Sequence, residues 1–314
     1  MRLATILPRG SLVAVPVAAA PDGTWIEIAA LIGREAWRVE NVLPWLMKHG
    51  EALVKRAATW AGPRYRESEF AFCAPILRPP AFRDFQALEH EGAAWREAPA
   101  FCFSNHNGLV GHEAAICAPA GCEQLDYELE LGVVIGWHGR DIAPERAWEH
   151  VFGFTVVNDF SARDVQDREL ALGLGLAKAK DFATAVGPWL VPRRHFTSRI
   201  HGEMLELAMC ARMNGRELSR GNMTSLPHSI PQLIAHASRD ADLFPGDLLG
   251  IGAVGTGGLF ELGADGRDRW LEPGDIVELE IEQIGVLRTR ITERAGNQNV
   301  NVEVTNHSRG VWNR

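Results

Sequence analysis

The stretch Leu125-Asp-Tyr-Glu-Leu-Glu-Leu-Gly-Val-Val-Ile135 decides how this chain is read. Side chains of a strand alternate between two faces. Leu125, Tyr127, Leu129, Leu131 and Val133 therefore fall on one face, and Asp126, Glu128 and Glu130 on the other. Carboxylates two residues apart on a strand point the same way, roughly 6–7 Å apart along the chain. A hard divalent cation accepts that arrangement once another oxygen arrives from elsewhere. A solvated outer face carries the same pattern, and Glu278, Glu280 and Glu282 alternate identically within Ile276–Ile284. Spacing alone does not separate the two strands.

Working outward, Val151–Asn158, Leu205–Met213, Asp247–Ile251 and Ile276–Ile284 also read as strands, bounded by Gly and Pro. Val13, Val15 and Val17 alternate within Leu12–Ala20 and predict a first strand. Arg2, Arg9 and the Ala-Ala-Ala-Pro ending loosely imitate a secretory leader, but Pro8, Gly10 and Pro16 interrupt it. Trp37, Val39, Leu43, Leu46 and Leu53 have helical spacing within Glu35–Ala58, and helices are also expected at Arg83–Glu97 and Ser229–Ser238. Strand after strand with helices to the side argues for an α+β, β-rich fold rather than a doubly wound sheet. The expected organisation is a small N-terminal domain (1–70) and a larger domain (71–294), joined through the stiff Pro75–Pro80 segment. The Asn-rich tail, 295–314, is expected to be mobile.

The chain has 314 residues, 46% hydrophobic and 23% charged, which excludes a disordered chain, a collagen and a coiled-coil rod. Lys plus Arg is 32 and Asp plus Glu 40, so the net charge of −8 does not favour nucleic acid as a partner. No apolar run approaches the ~18 residues of a membrane helix, so no membrane partner is expected. Five cysteines, none in a Cys-x-x-Cys pair, read as reduced thiols of a cytoplasmic protein.

A second informative segment, Gly153-Phe-Thr-Val-Val-Asn-Asp-Phe-Ser-Ala-Arg-Asp-Val-Gln166, begins as an apolar strand and ends in polar groups. A buried strand delivering a carboxylate and a guanidinium at its end suits a site built on a rigid scaffold. Equally, Ser161 caps a helical turn and Asp164 pairs with Arg163 as mere structure. In Gly175-Leu-Ala-Lys-Ala-Lys-Asp-Phe-Ala-Thr184, one of Lys178 and Lys180 is expected in solvent and the other in a cleft. Gly250-Ile-Gly-Ala-Val-Gly255 is formally G-x-G-x-x-G, but no helix follows, so it reads as a tight turn lining a cleft. His106, His112 and His138 lack ligand spacing and read as loop histidines. The absence of G-x-S-x-G counts against a serine hydrolase.

The motifs Leu-Asp-Tyr-Glu-Leu-Glu-Leu-Gly, Asn-Asp-Phe-Ser-Ala-Arg-Asp-Val-Gln, Lys-Asp-Phe-Ala-Thr-Ala-Val-Gly-Pro-Trp and Trp270-Leu-Glu-Pro-Gly-Asp-Ile-Val-Glu-Leu, in this order, resemble the fumarylacetoacetate hydrolase family over roughly residues 70–292. The resemblance implies a mixed β-sandwich roll with a small N-terminal domain, a homodimer, and bound Mg²⁺, Ca²⁺ or Mn²⁺. It implies metal-dependent C–C hydrolysis of a β-diketo acid such as an acylpyruvate, with decarboxylation, hydration or tautomerisation of a 2-oxo acid, or a degenerate binding protein, as alternatives. By the same resemblance Glu128, Glu130, Asp159 and Asp84 are metal ligands. Lys180, Arg163 and Gln166 face a developing oxyanion. Thr184 and Asn105 are substrate contacts, and Glu261 orients a base, His90, that takes a proton from water. Two positions depart from the family: its spacing places Glu91 where the base belongs, and Ala253 stands where relatives carry a substrate-contacting Thr.

Overall fold

The computed structural model describes residues 1–86, 98–173, 175–252, 256–263 and 268–294. His90, Glu91, Ala253 and the tail from 295 lie outside these residues. The fold is α+β and β-rich, as the strand-dominated pattern implies. An eleven-stranded sheet runs in the order Trp25–Glu27, Val15–Ala19, Leu3–Pro8, Thr184–Pro192, Val151–Asp159, Leu129–Ile135, Leu248–Gly252, Phe82–Gln86, Phe101–Phe103, with two short strands off this path. A five-stranded sheet is built from Arg216–Asn222, Ala208–Met213, Ile276–Ile281, Gly285–Ile291 and Ala115–Ile116.

The alternation of the acidic stretch is what layers the molecule. Leu129, Leu131, Val133 and Ile135 pack with Met209, Ala211, Val277, Leu279 and Leu287 between the two sheets. Val134, on the opposite face, packs with Leu3, Leu190 and Leu248 and with Leu43, Leu46 and Leu53 of the Leu43–Thr59 helix. Burying each such side chain contributes roughly 1.5–3 kcal/mol. Glu278, Glu280 and Glu282 sit half-exposed on the five-stranded sheet, whereas Asp126, Glu128 and Glu130 are buried. Hydrogen bonding is continuous across residue 70: Phe70–Phe72 pairs with Leu3–Pro8, and Leu3 pairs with Leu190.

Several expectations are corrected. The helix predicted over Arg83–Glu97 begins instead as a strand, Phe82–Gln86, because its buried backbone pairs in parallel with Leu248–Gly252; residues 87–97 lie outside the described residues. The helix predicted from Glu35 begins at Leu43, with Pro44 in its first turn, and a separate short helix spans Ile28–Ile32. The first strand is Leu3–Pro8, which forms a hairpin with Val15–Ala19. Of the turn expected over Gly250–Gly255, Gly250 and Gly252 lie on a strand, and residues 253–255 lie outside the described residues. The Ser229–Ser238 expectation is met by a helix at Ile230–Ser238, capped by the Ser229 hydroxyl. No helix among the described residues is long and apolar enough to cross a membrane.

Candidate active site

The site forms where four neighbouring strands present polar residues at one end of the large sheet. Asp159 ends Val151–Asp159, Glu130 is the second residue of the adjacent strand, opposite Val157, and Asp84 lies opposite Gly250 two strands away. The acidic strand is broken at Tyr127–Glu128, because side chains replace its ladder. Asp126 Oδ1 accepts from Tyr127 N at 2.8 Å, and Asn158 Oδ1 accepts from Glu128 N at 3.2 Å. The break lets Glu128 join the site beside Glu130. Glycines clear the floor. A Cβ on Gly252 would stand 2.2 Å from Glu130 Cγ, and one on Gly250 would stand 2.7 Å from Glu130 Oε2 and 3.2 Å from Asp84 Oδ1. These two glycines are site residues that the tight-turn reading of Gly250–Gly255 obscured.

Asp84, Glu128 and Glu130 each offer an oxygen within 4.8 Å of the others. Asp159 stands beside them, its Oδ1 accepting from Thr184 Oγ1 at 2.8 Å and its Oδ2 from Lys180 Nζ at 2.7 Å. Lys180 also donates to Glu128 Oε2 at 2.5 Å. Arg163 donates through Nε to Asp126 Oδ2 and through Nη1 to Gln166 Oε1, and its Nη2 lies 2.8 Å from Glu128 Oε1 and 3.7 Å from Glu261 Oε1. The guanidinium is thus paired with buried carboxylates, and the Thr184 hydroxyl donates to Asp159. Lys178 is exposed and paired with Asp181, while Lys180 is buried, which divides the two lysines as the sequence implied.

Six carboxyl groups (Asp84, Asp126, Glu128, Glu130, Asp159, Glu261) face two cations, Lys180 and Arg163. Burial would raise Glu128, but Lys180 and then Arg163 hold it at about 2. Lys180 relieves Asp84 and Glu130 only in part. Burial first, then the charges of Asp159 on Asp84 and of Asp84 on Glu130, push both well above the ordinary carboxylate range. Glu130 Oε2 is buried without a hydrogen-bond partner. A cluster of hard oxygens with uncompensated negative charge fits a divalent cation of the Mg²⁺, Mn²⁺ or Ca²⁺ type. Glu261 is pushed up to about 7, by burial first and then by Glu128, and its Oε2 also lacks a partner.

A cavity of about 400 Å³ opens beside Lys180, lined also by Cys102, Phe103, Asn105, His106 and Asp181. The volume is within the ordinary range for small-molecule sites. Asn105 Nδ2 donates to the Asp181 carbonyl at 3.0 Å and its Oδ1 accepts from Asn107 N, so this side chain ties the two walls together.

Comparison with known proteins agrees with this arrangement. The family model for the fumarylacetoacetate (FAA) hydrolase C-terminal region matches residues 81–292. Human oxaloacetate tautomerase FAHD2A, mitochondrial, is 30% identical over 253 residues, 78% of each chain. Fumarylacetoacetate hydrolase (EaFAH) from psychrophilic Exiguobacterium antarcticum shares the fold with a TM-score of 0.75 at 24% identity, over 94% of this chain and 100% of that one. Maleylpyruvate hydrolase from Sphingobium sp. SYK-6, in complex with manganese (II) ion and pyruvate, shares it with a TM-score of 0.69 at 22% identity and the same coverage. The motifs, the sheet that carries them and the matched length lead to one conclusion: the chain belongs to the fumarylacetoacetate hydrolase family.

Proposed function

We propose that this chain is a divalent-metal-dependent enzyme that interconverts the keto and enol forms of a small 2-oxo dicarboxylic acid of the oxaloacetate class. The observation that carries the reading is the placement of Glu261: it stands at the edge of the carboxylate cage, Oε1 3.7 Å from Arg163 and Oε2 buried without a hydrogen-bond partner, where burial first and then Glu128 push its pKa up to about 7. A group poised near the working pH suits removal and return of one proton. Asp84, Glu128 and Glu130, with Asp159 beside them, would hold the cation, which supplies Lewis acidity toward the 2-oxo acid. Mg²⁺ is the first choice, with Mn²⁺ or Ca²⁺ as alternatives.

The residues divide the remaining work. Lys180 gives two N–H groups to Glu128 and Asp159 and retains a third for the substrate oxygen on which charge develops. Arg163 holds Asp126 and Glu128 in place, and Gln166, its oxygen taken by Arg163, keeps its NH₂ for the ligand. Glu261 takes the carbon-bound proton of the keto form and delivers it to the enolate oxygen, and in the reverse direction takes the enol proton and gives it to carbon. The human relative's activity supports this reading.

A second reading is C–C hydrolysis of an acylpyruvate or fumarylacetoacetate-like acid, with His90, oriented by Glu261, taking a proton from water. The 400 Å³ cavity, which has room for a longer acyl chain, favours it. We also propose a homodimer, which sedimentation would reveal as twice 34.6 kDa. The functional test is a panel of oxaloacetate and acylpyruvates with Mg²⁺, Mn²⁺ or chelator. Loss of the enol absorption of oxaloacetate, faster with metal and abolished by chelator, supports tautomerisation. Metal-dependent appearance of pyruvate from an acylpyruvate, lost in His90→Ala, replaces it with hydrolysis. Metal binding without either reaction overturns both.

A further inference from the structure

We propose that Asp126, although it belongs to the acidic stretch, is a positioning residue. It clamps Arg163 and the Gly258–Glu261 turn into one rigid unit and so sets where Glu261 stands. This inference rests on the reading of the site given above. Asp126 is fully buried and is not among the carboxylates whose oxygens cluster, Asp84, Glu128 and Glu130. Its Oδ1 accepts from Leu259 N at 2.7 Å and from Tyr127 N at 2.8 Å. Its Oδ2 accepts from Phe260 N at 3.1 Å and from Arg163 Nε at 2.8 Å, with Arg163 Nη2 at 2.7 Å as an ion pair.

One carboxylate therefore ties together a strand end, a guanidinium and two successive amides of a turn, and the residue after those amides is Glu261. Phe260 completes the unit by lying under the Arg163 guanidinium, 5.1 Å from ring centroid to Cζ. Gly258 makes the close approach possible. A Cβ there would meet Glu261 Oε2 at 2.3 Å, Tyr127 O at 2.7 Å and Asp126 Oδ2 at 3.3 Å. Both oxygens of Asp126 accept, so asparagine is not a neutral replacement: its NH₂ would face N–H donors on whichever side it occupied. Displacement of a catalytic group by about 1 Å costs on the order of 10² in rate.

The test uses full-length Mn²⁺-loaded protein, wild type, Asp126→Asn, Gly258→Ala and Glu261→Gln, with the double variant Asp126→Asn/Glu261→Gln. Mn²⁺ affinity is titrated directly, oxalate affinity is measured as that of an enolate mimic, and kcat and KM are measured with oxaloacetate. The expected result is a kcat loss of about 10²-fold in Asp126→Asn and a loss in Gly258→Ala, with KM and Mn²⁺ affinity within about twofold of wild type. In the Glu261→Gln background, Asp126→Asn should add less than about threefold, because residues acting as a unit are not additive. Should Asp126→Asn not fold, Asp126→Glu decides by the same split, since Gly258→Ala also touches Glu261 directly. Full additivity overturns the proposal, as does a loss of Mn²⁺ affinity that accounts for the loss of rate. A wild type inactive on oxaloacetate overturns the tautomerase reading alone. Oxalate affinity then decides: a tenfold or greater loss in Asp126→Asn at unchanged Mn²⁺ affinity supports the clamp, and unchanged oxalate affinity refutes it.

Discussion

Replacing Lys180 by Met should separate two tasks of one ammonium group. Nζ donates to Glu128 Oε2 at 2.5 Å and to Asp159 Oδ2 at 2.7 Å, and all three groups are buried. Methionine retains most of the stem and removes the charge, so two carboxylates lose their shared donor. Glu128 sets the scale. Against burial, Lys180 first and Arg163 next hold it at about 2 instead of 4.5, worth about 3 kcal/mol at ~1.36 kcal/mol per unit. Deleting one partner of a buried pair costs ~3–5 kcal/mol in comparable cases, and Arg163 remains to hold part of the Glu128 shift. Because the folded-state pKa is depressed, this stability is fully present above the ordinary carboxylate range and is lost as pH falls toward 2. At about 2–4 °C per kcal/mol, metal-free Lys180→Met should melt on the order of 10 °C below wild type at neutral pH. The gap should close progressively below pH ~5. Turnover of the metal-loaded variant should fall by ~10²–10³. Scanning calorimetry of both metal-free proteins across pH, with kcat alongside, reads these effects. A melting gap that does not change with pH, or full kcat in the variant, would refute the reasoning.

Asp84 and Glu130 hold protons above the ordinary range, and a cation must displace them. Mn²⁺ affinity should therefore rise with pH and release protons, measured by calorimetry in buffers of different ionisation enthalpy; pH-independent affinity would oppose this. The same raised pKa values mean that the folded metal-free protein binds more protons than the unfolded chain, so its stability should fall as pH rises. The Mn²⁺-induced increase in Tm should then be larger at pH 8 than at pH 5. Gly252→Ala puts a methyl group 2.2 Å from Glu130 Cγ. We expect it to cost ~1–3 kcal/mol by overpacking and to weaken Mn²⁺ binding at least tenfold, by direct titration. If Glu261 is the base, kcat/KM should rise with pH through about 7, and Glu261→Gln should remove that limb.

The acidic stretch made the layering legible because a period of two is fixed by the strand itself. Leu129, Leu131, Val133 and Ile135 are core residues between the sheets, as their alternation requires. The same alternation could not choose between Glu128 with Glu130 and the Glu278–Glu282 run. That choice is made by neighbours distant in sequence: Lys180, Arg163 and Asp84. The break at Tyr127–Glu128 was equally hidden, since it depends on Asn158 reaching Glu128 N from the next strand. The strand at Phe82–Gln86 carries Arg83, whose partner Asp247 lies 164 positions away, and no local period announces that pairing. Gly250 and Gly252 were visible as glycines, but their purpose is set by the Glu130 side chain crossing over them. The resemblance supplied the site as a list of positions. The geometry adds that Arg163 and Thr184 are occupied by carboxylates and that Asp126 joins the turn bearing Glu261.

The most direct test of the account is a titration of the chelator-treated protein with Mn²⁺, wild type against Glu130→Gln, with oxaloacetate enolisation followed in the same samples. We expect one Mn²⁺ per chain, an enolisation rate that tracks its occupancy, and loss of both in Glu130→Gln. Enolisation that proceeds equally with chelator present, or Mn²⁺ affinity unchanged in Glu130→Gln, would contradict it.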